Sequence, residues 1–192
     1  MLQGGEIVYI GPAGSFRHTG LNSDERYFYT IWTIISKDPL LYSSPALVNG
    51  KTGIFTVTKY PYIQDFDKSY PELPRGWKAA GENGPEYLNG YKPFSPPNSL
   101  EISQVNPRQE WLYTPAFQFS SSKKYMITFR YRNKTDGDYG SLYLAAVTGN
   151  RENLSPQGLT VVSLNQFSFS DYVLSRSVFT PGVSGLYYLG FK

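Results

Sequence analysis

The chain has 192 residues, of which 17% are aromatic and only 17% charged, with 18 Gly, 14 Pro and no Cys. An aromatic-rich, charge-poor, turn-rich composition points to an all-β protein with one large domain or two small ones. The absence of cysteine excludes disulfides, a thiol nucleophile and thiolate metal sites, and the formal charge of +3 is scattered, with no dense basic block of the kind that binds nucleic acid.

The first extended run is 26–35, RYFYTIWTII. Tyr27, Tyr29, Ile31 and Thr33 fall on one face and Phe28, Thr30, Trp32 and Ile34 on the other, so both faces are expected to be at least partly covered. A turn-rich link, NGKTG (49–53), separates this run from a new one, IFTVTKYPY (54–62). Residues 1–57 carry four basic and four acidic side chains, so the net positive charge belongs to the remainder. We place the domain boundary here, with units 1–55 and 56–192.

Further along, KYMITFRYRN (124–133) sets Tyr125, Ile127, Phe129 and Tyr131 against Met126, Thr128, Arg130 and Arg132, the pattern of a half-buried strand. Arg130, Arg132 and Lys134 would share its solvent face, which could meet a polyanion or simply be solvated. GSLYLAAVTG (140–149), LTVVSL (159–164) and GLYYLGF (185–191) read as further strands, with turn chemistry between them. No segment shows helical period with caps, and no apolar run reaches the ~18 residues of a membrane span, so membrane insertion is not expected. No signal peptide opens the sequence, so a secreted protein would appear here as a fragment or mature piece.

Chemistry-bearing residues are few. His18 is the only histidine, too little for a catalytic triad or a zinc site. No carboxylate pair sits in a catalytic pattern, and we expect no enzyme. TDGD (135–138) lacks the spacing and terminal Glu of a calcium loop and reads as a turn. Asn133-Lys134-Thr135 and Asn153-Leu154-Ser155 are glycosylation sequons.

Two segments stand out. In QDFDKSYPELPRGW (64–77), Pro71 and Pro74 forbid a helix, and Phe66 and Trp77 are expected to anchor an extended chain. Asp65 and Asp67 would then point the same way and need solvent, Arg75 or a cation between them. Trp111 is likewise expected in the core, at a sheet edge. In GENGPEYLNGYKPFSPPN (81–98), Tyr87, Tyr91 and Phe94 lie among Asn, Gly and Pro. Exposed rings stack on sugars while neighbours such as Asn89 supply hydrogen bonds; alternatively, the rings only pin a long loop to the core.

Two resemblances follow from these residues. SFRHTGLNSDERYFYTIWTIISKDPLLYSSPALVNGKT (15–52) resembles the C-terminal half of a fibronectin type III domain, in which Tyr27 would hydrogen-bond back to nearby backbone as a tyrosine corner. YPYIQDFDKSYPELPRGW (60–77), followed by NSLEIS (98–103), EWLYTPAFQF (110–119), KYMITFRYR and GLYYLGF, is similar to bacterial cleaved-adhesin or "choice-of-anchor" modules; a closing strand expected after 185–191 has no counterpart. The second resemblance implies an antiparallel jelly-roll β-sandwich, preceded by the partial fibronectin-like sandwich. It further implies a non-catalytic module of a secreted or cell-surface bacterial protein, with neighbouring domains in a larger chain. Such a module would contact a glycan or an extracellular protein, with a structural spacer or an accessory module of a secreted enzyme as the alternative. Related modules hold a structural Ca2+ near the Phe-acid pair, which implies Asp67 as its first ligand and Asp65 as its second. Ligand contacts are expected at Tyr87, Asn89, Tyr91 and Phe94.

Overall fold

The computed structural model describes residues 5–12, 14–67, 73–80, 92–102, 111–135, 137, 139–149 and 158–192. Their regular structure is all strand, with no helix among the described residues. The chain divides into two compact units, Met1–Gly53 and Ile54–Lys192.

In the first unit, β1 (Arg26–Ile31) runs antiparallel to β4 (Ala46–Lys51), in register from Arg26↔Lys51 to Ile31↔Ala46. Between them β2 (Ile34–Lys37) and β3 (Leu40–Tyr42) form a hairpin. The turn before β1 is clasped to the end of β4. Asp24, left-handed at φ 63, lies 3.0 Å from the Lys51 ammonium, and Thr52 Oγ1 donates to the Asn22 carbonyl at 2.6 Å. The Tyr27 hydroxyl accepts the Asn22 backbone N–H at 2.9 Å, five residues back. His18 is held in a row of rings: its Nδ1 is 3.0 Å from the Tyr29 hydroxyl, and Phe16 beside it stacks on Tyr9. Covered faces were expected on both sides of β1, and one is open: Phe28 and Leu47 are 75% and 77% exposed. Aromatics on both faces of a strand give no period-2 contrast, so the pattern could not say which side lacks a second layer.

The second unit is built in two layers. A seven-stranded sheet has the order β11 (Leu159–Phe167), β10 (Gly140–Val147), β13 (Gly185–Phe191), β7 (Trp111–Tyr113), β6 (Lys78–Ala80). In addition, β8 (Ala116–Phe119) pairs with β13, and β5 (Thr56–Val57) pairs with β8 in parallel. Facing it, β9 (Tyr125–Tyr131) pairs with β12 (Val173–Phe179). Phe117, Phe119, Leu144, Ala146, Tyr187 and Leu189 from the large sheet bury themselves with Phe179, and Tyr125, Ile127 and Phe129 of β9 pack against them. This is a sandwich-like β architecture. Alternate residues of the same strands, Ala145, Val147 and Tyr188 with Trp111 and Tyr113, form a second buried cluster. Because β10 and β13 are buried on both faces, they read as continuous apolar runs rather than as alternation.

The Thr-Pro step at 114–115 has a clear physical role. Both β7 and β8 pair with β13, one after the other, so the chain between them must cross without losing the ladder. Pro115 has no N–H to give. Thr114 compensates: its N–H donates to the Leu189 carbonyl at 3.0 Å, and its hydroxyl accepts the Leu189 N–H at 3.0 Å while donating to the Pro115 carbonyl at 2.9 Å. Gly190 is required alongside, since a Cβ there would lie 2.7 Å from the Tyr113 ring and 2.9 Å from the Trp111 ring. Trp111 is buried as expected, but β7 lies between β13 and β6 and not at an edge.

Candidate functional site

The opening of the second unit is shaped by residues 64–67 and 73–77. Trp77 N–H closes a turn on the Pro74 carbonyl at 2.9 Å, with Gly76 left-handed at φ +83. A Cβ at Gly76 would stand 2.7 Å from Phe55 Cδ1, so glycine serves both the turn and the packing. The half-buried Trp77 donates its indole N–H to the Tyr62 hydroxyl at 3.0 Å and meets Phe66 edge-to-face at 5.3 Å. Burial of Tyr62 pushes its pKa up, partly opposed by that hydrogen bond.

Phe66 is itself left-handed, at φ 66, unusual for a bulky side chain. The chain is therefore not extended between the two aspartates, and the premise that placed them on one side does not hold. Asp65 is exposed, and its Oδ1 accepts the Asp67 N–H at 3.3 Å. Asp67 Oδ2 accepts from Ser95 Oγ at 3.2 Å, while its Oδ1 is buried with no hydrogen-bond partner among the described residues. Arg75 is not the bridge: its guanidinium lies over the Phe55 ring at 4.7 Å, and no ion pair joins it to either aspartate among the described residues. Nor do the described residues contain a group of three acidic, His or Cys side chains that could hold a metal.

Of the four expected ligand contacts, Tyr87, Asn89 and Tyr91 lie outside the described residues; Phe94 is described, and it is 56% exposed. The Arg130 guanidinium lies 4.0 Å from its ring centroid, and Tyr172 meets it edge-to-face at 5.6 Å. Arg132 lies over Tyr172 at 5.2 Å. Its Nη1 donates to the Asn133 and Lys134 carbonyls at 2.7 and 3.1 Å, and its Nη2 to the Lys92 carbonyl at 3.3 Å. Lys134 pairs with Glu101 at 2.8 Å. Segment 92–102 is thus tied to the end of β9 at several points.

The same segment reaches Asp67, through Ser95 and through Asn98, whose Nδ2 donates to the Asp67 carbonyl at 3.4 Å. The structure therefore brings the Phe94 and Asp67 candidates together, although they lie 27 positions apart in the chain. The broad concavity along β9 takes in residues of both its faces, Ile127 and Thr128 alike, and is a composite surface rather than an enclosed chamber. Of the two sequons, Asn153 lies outside the described residues. Asn133 is buried, its Oδ1 accepting the Phe169 N–H at 3.1 Å, so its amide is committed to the fold.

Sequence reasoning missed Tyr172, Ser95 and Asn98. Tyr172 immediately precedes β12, a strand whose alternation is blurred because Ser175 and Ser177 point inward while Leu174 and Val178 point outward. Ser95 and Asn98 carry no signal of their own in a Pro-rich stretch. No protein-family model, curated protein or solved structure matches this chain.

Proposed function

We propose that the second unit is a non-catalytic binding module of a secreted or cell-surface bacterial protein, and that it contacts a glycan. The observation that carries this reading is Phe94. A ring 56% exposed on a segment fastened at both sides is a rigid apolar plate, which is what a sugar face stacks on. Arg130 takes one side of the ring, and hydrogen-bonding groups lie nearby at Ser95, Asn98 and Tyr172. Tyr87, Asn89 and Tyr91 belong to the same proposed surface by sequence. An extracellular protein is the other partner of this kind, and neighbouring domains of a larger chain fit the same setting.

The finer fold reading belongs here as well. The second unit reads as a jelly roll of the cleaved-adhesin or choice-of-anchor kind, supported by its two facing layers of strands, antiparallel apart from the short β5–β8 pair. The first unit reads as part of a fibronectin type III-like sandwich. The Tyr27–Asn22 hydrogen bond supports it, as does the open face of Phe28 and Leu47 that a second sheet would cover. A structural Ca2+ is part of the proposal, with Asp67 as first ligand and Asp65 as second. Its support is the buried, unpartnered Asp67 Oδ1, since an orphaned carboxylate oxygen is costly and a hard cation would satisfy it. At this place in the fold Asp67 Oδ1 is the one buried carboxylate oxygen without a hydrogen-bond partner among the described residues, so backbone carbonyls, Asp65 and water would complete the coordination.

A spacer or an accessory module of a secreted enzyme is the second reading. It is favoured by the ties that Arg132 and Lys134 make to segment 92–102, which would hold Phe94 in place for stability alone. A glycan array separates the two. Wild type should bind a defined set of glycans, and Phe94→Ala should lose that binding at a stability cost within about 1 kcal/mol. Identical profiles for the two proteins would overturn the placement of the site at Phe94.

A further inference from the structure

We propose that the outer face of β9 and β12 recognises acidic glycans, polymers whose sugars carry carboxylate or sulfate groups, with Arg130 as the anion contact and Arg176 extending it. This rests on the glycan-binding reading and specifies its substrate class.

The register places Arg176 opposite Thr128 and Leu174 opposite Arg130. Side chains opposite one another in an antiparallel pair share a face, so Arg130 and Arg176 are diagonal neighbours, their Cα atoms about 7–8 Å apart. Both are exposed. Neither makes an ion pair or a hydrogen bond among the described residues. Two adjacent cations without a counter-charge repel one another, and a bound anion relieves that repulsion.

Arg130 is also preoriented. Its guanidinium is stacked on Phe94 at 4.0 Å, which fixes the plane and leaves the N–H edges unengaged. A planar fork held this way matches a carboxylate or sulfate in two-point contact, at a smaller entropy loss than a free side chain pays. Arg132 differs, since backbone carbonyls take its donors. It positions the Lys92–Phe94 segment of the site and is not itself an anion contact.

Among the described residues the nearby acids do not compete. Glu101 is engaged by Lys134, and Asp171, next to Tyr172 in the chain, pairs with neither arginine. Nucleic acid fits less well. Its binders track a phosphate backbone with a dense basic groove and a succession of stacking rings, whereas this face offers two free arginines beside one exposed ring.

The test uses a matched pair of probes, oligogalacturonate and its methyl ester, which differ only in charge, together with a sulfated heparin oligosaccharide and single-stranded DNA. Calorimetry on the whole chain should show the acidic sugars binding about tenfold or more tighter than the methyl ester. Arg130→Ala should erase that preference, bringing the acidic sugars down to about the affinity of the methyl ester. Arg130→Lys should restore part of it, and Phe94→Ala should weaken every sugar. Equal affinity for the acid and the ester would overturn this inference while leaving the glycan reading standing. DNA binding as tight as the acidic sugars would overturn it in favour of a general polyanion surface. Binding of no sugar at all would overturn both.

Discussion

Replacing Thr114 by Val should expose how the second unit carries its main sheet past a proline. Val keeps the shape and the β-branch but removes the hydroxyl. The Leu189 N–H then loses its acceptor, at a position 3% exposed, where water cannot substitute. The Pro115 carbonyl loses its donor as well. Orphaning a buried donor costs about 1–3 kcal/mol, offset by up to about 0.8 kcal/mol from burying a methyl in place of a hydroxyl. A net loss of about 1–2 kcal/mol remains, which for a unit of this size is about 3–7 °C in melting temperature. Calorimetry measures the shift, and amide hydrogen exchange locates it: the Leu189 amide should exchange faster in Thr114→Val and stay protected in Thr114→Ser. Thr114→Ser is needed because it retains the hydroxyl while losing only a methyl. A Thr114→Val protein that melts within 1 °C of wild type, with Leu189 still protected, would refute the reasoning.

Gly76→Ala should destabilise the second unit by more than about 2 kcal/mol, because a left-handed residue acquires a Cβ 2.7 Å from Phe55; denaturant unfolding followed by tryptophan fluorescence checks it, and an unchanged midpoint would count against the turn geometry. Stability should fall as pH rises from 10 towards 12. Burial, with Tyr125 adding to it, pushes Tyr60 up from 10.0 to about 12, and burial raises Tyr62 and Tyr113 too. Over that window the folded chain holds protons that the unfolded chain releases, so each pH step favours unfolding; melting temperatures that stay flat through it, with tyrosinate absorbance rising at the ordinary pH, would contradict this. Chelation should lower the melting temperature of the wild type, and Asp67→Ala should abolish that sensitivity, since an ion that binds only the folded state stabilises it by mass action. Superimposable melts with excess Ca2+ and with chelator would remove calcium from the proposal.

Much of the fold was legible because it rests on period-2 alternation and turn chemistry. The sequence places Tyr125, Ile127, Phe129 and Tyr131 on one face of a strand, and β9 alternates half-buried and exposed along its length. The run 185–191 coincides with β13. The all-β composition argument and the absence of any helical period lead the same way as the strands of the described chain. Illegible elements had conflicting signals. In β12 the inward serines and outward Leu174 and Val178 cancel the alternation, so the partner strand of β9 could not be recognised. With it went Tyr172, and with Tyr172 the platform that meets Phe94 from the side.

The aspartates show a different limit. Reasoning about Asp65 and Asp67 assumed that prolines downstream keep the chain extended, but the local conformation is decided at Phe66, where packing against Trp77 accompanies a left-handed backbone. Such a conformation costs a bulky residue on the order of 1–3 kcal/mol and persists only where its surroundings impose it. No propensity scale would choose it, so it can be found only once the Trp77 turn and the Tyr62 hydrogen bond are in place. The consequence reaches the surface. By turning at Phe66 the chain separates the roles of the two carboxylates: Asp65 caps the turn, and Asp67 turns to Ser95 and Asn98. Ser95 immediately follows Phe94, so the strained residue helps fix the height and tilt of the exposed ring over Arg130. Relieving the strain with Phe66→Gly would remove the contact with Trp77 along with it. On this geometry the aromatic plate and the Asp67 carboxylate are coupled through the Ser95 hydrogen bond, and a change at either should be felt at the other.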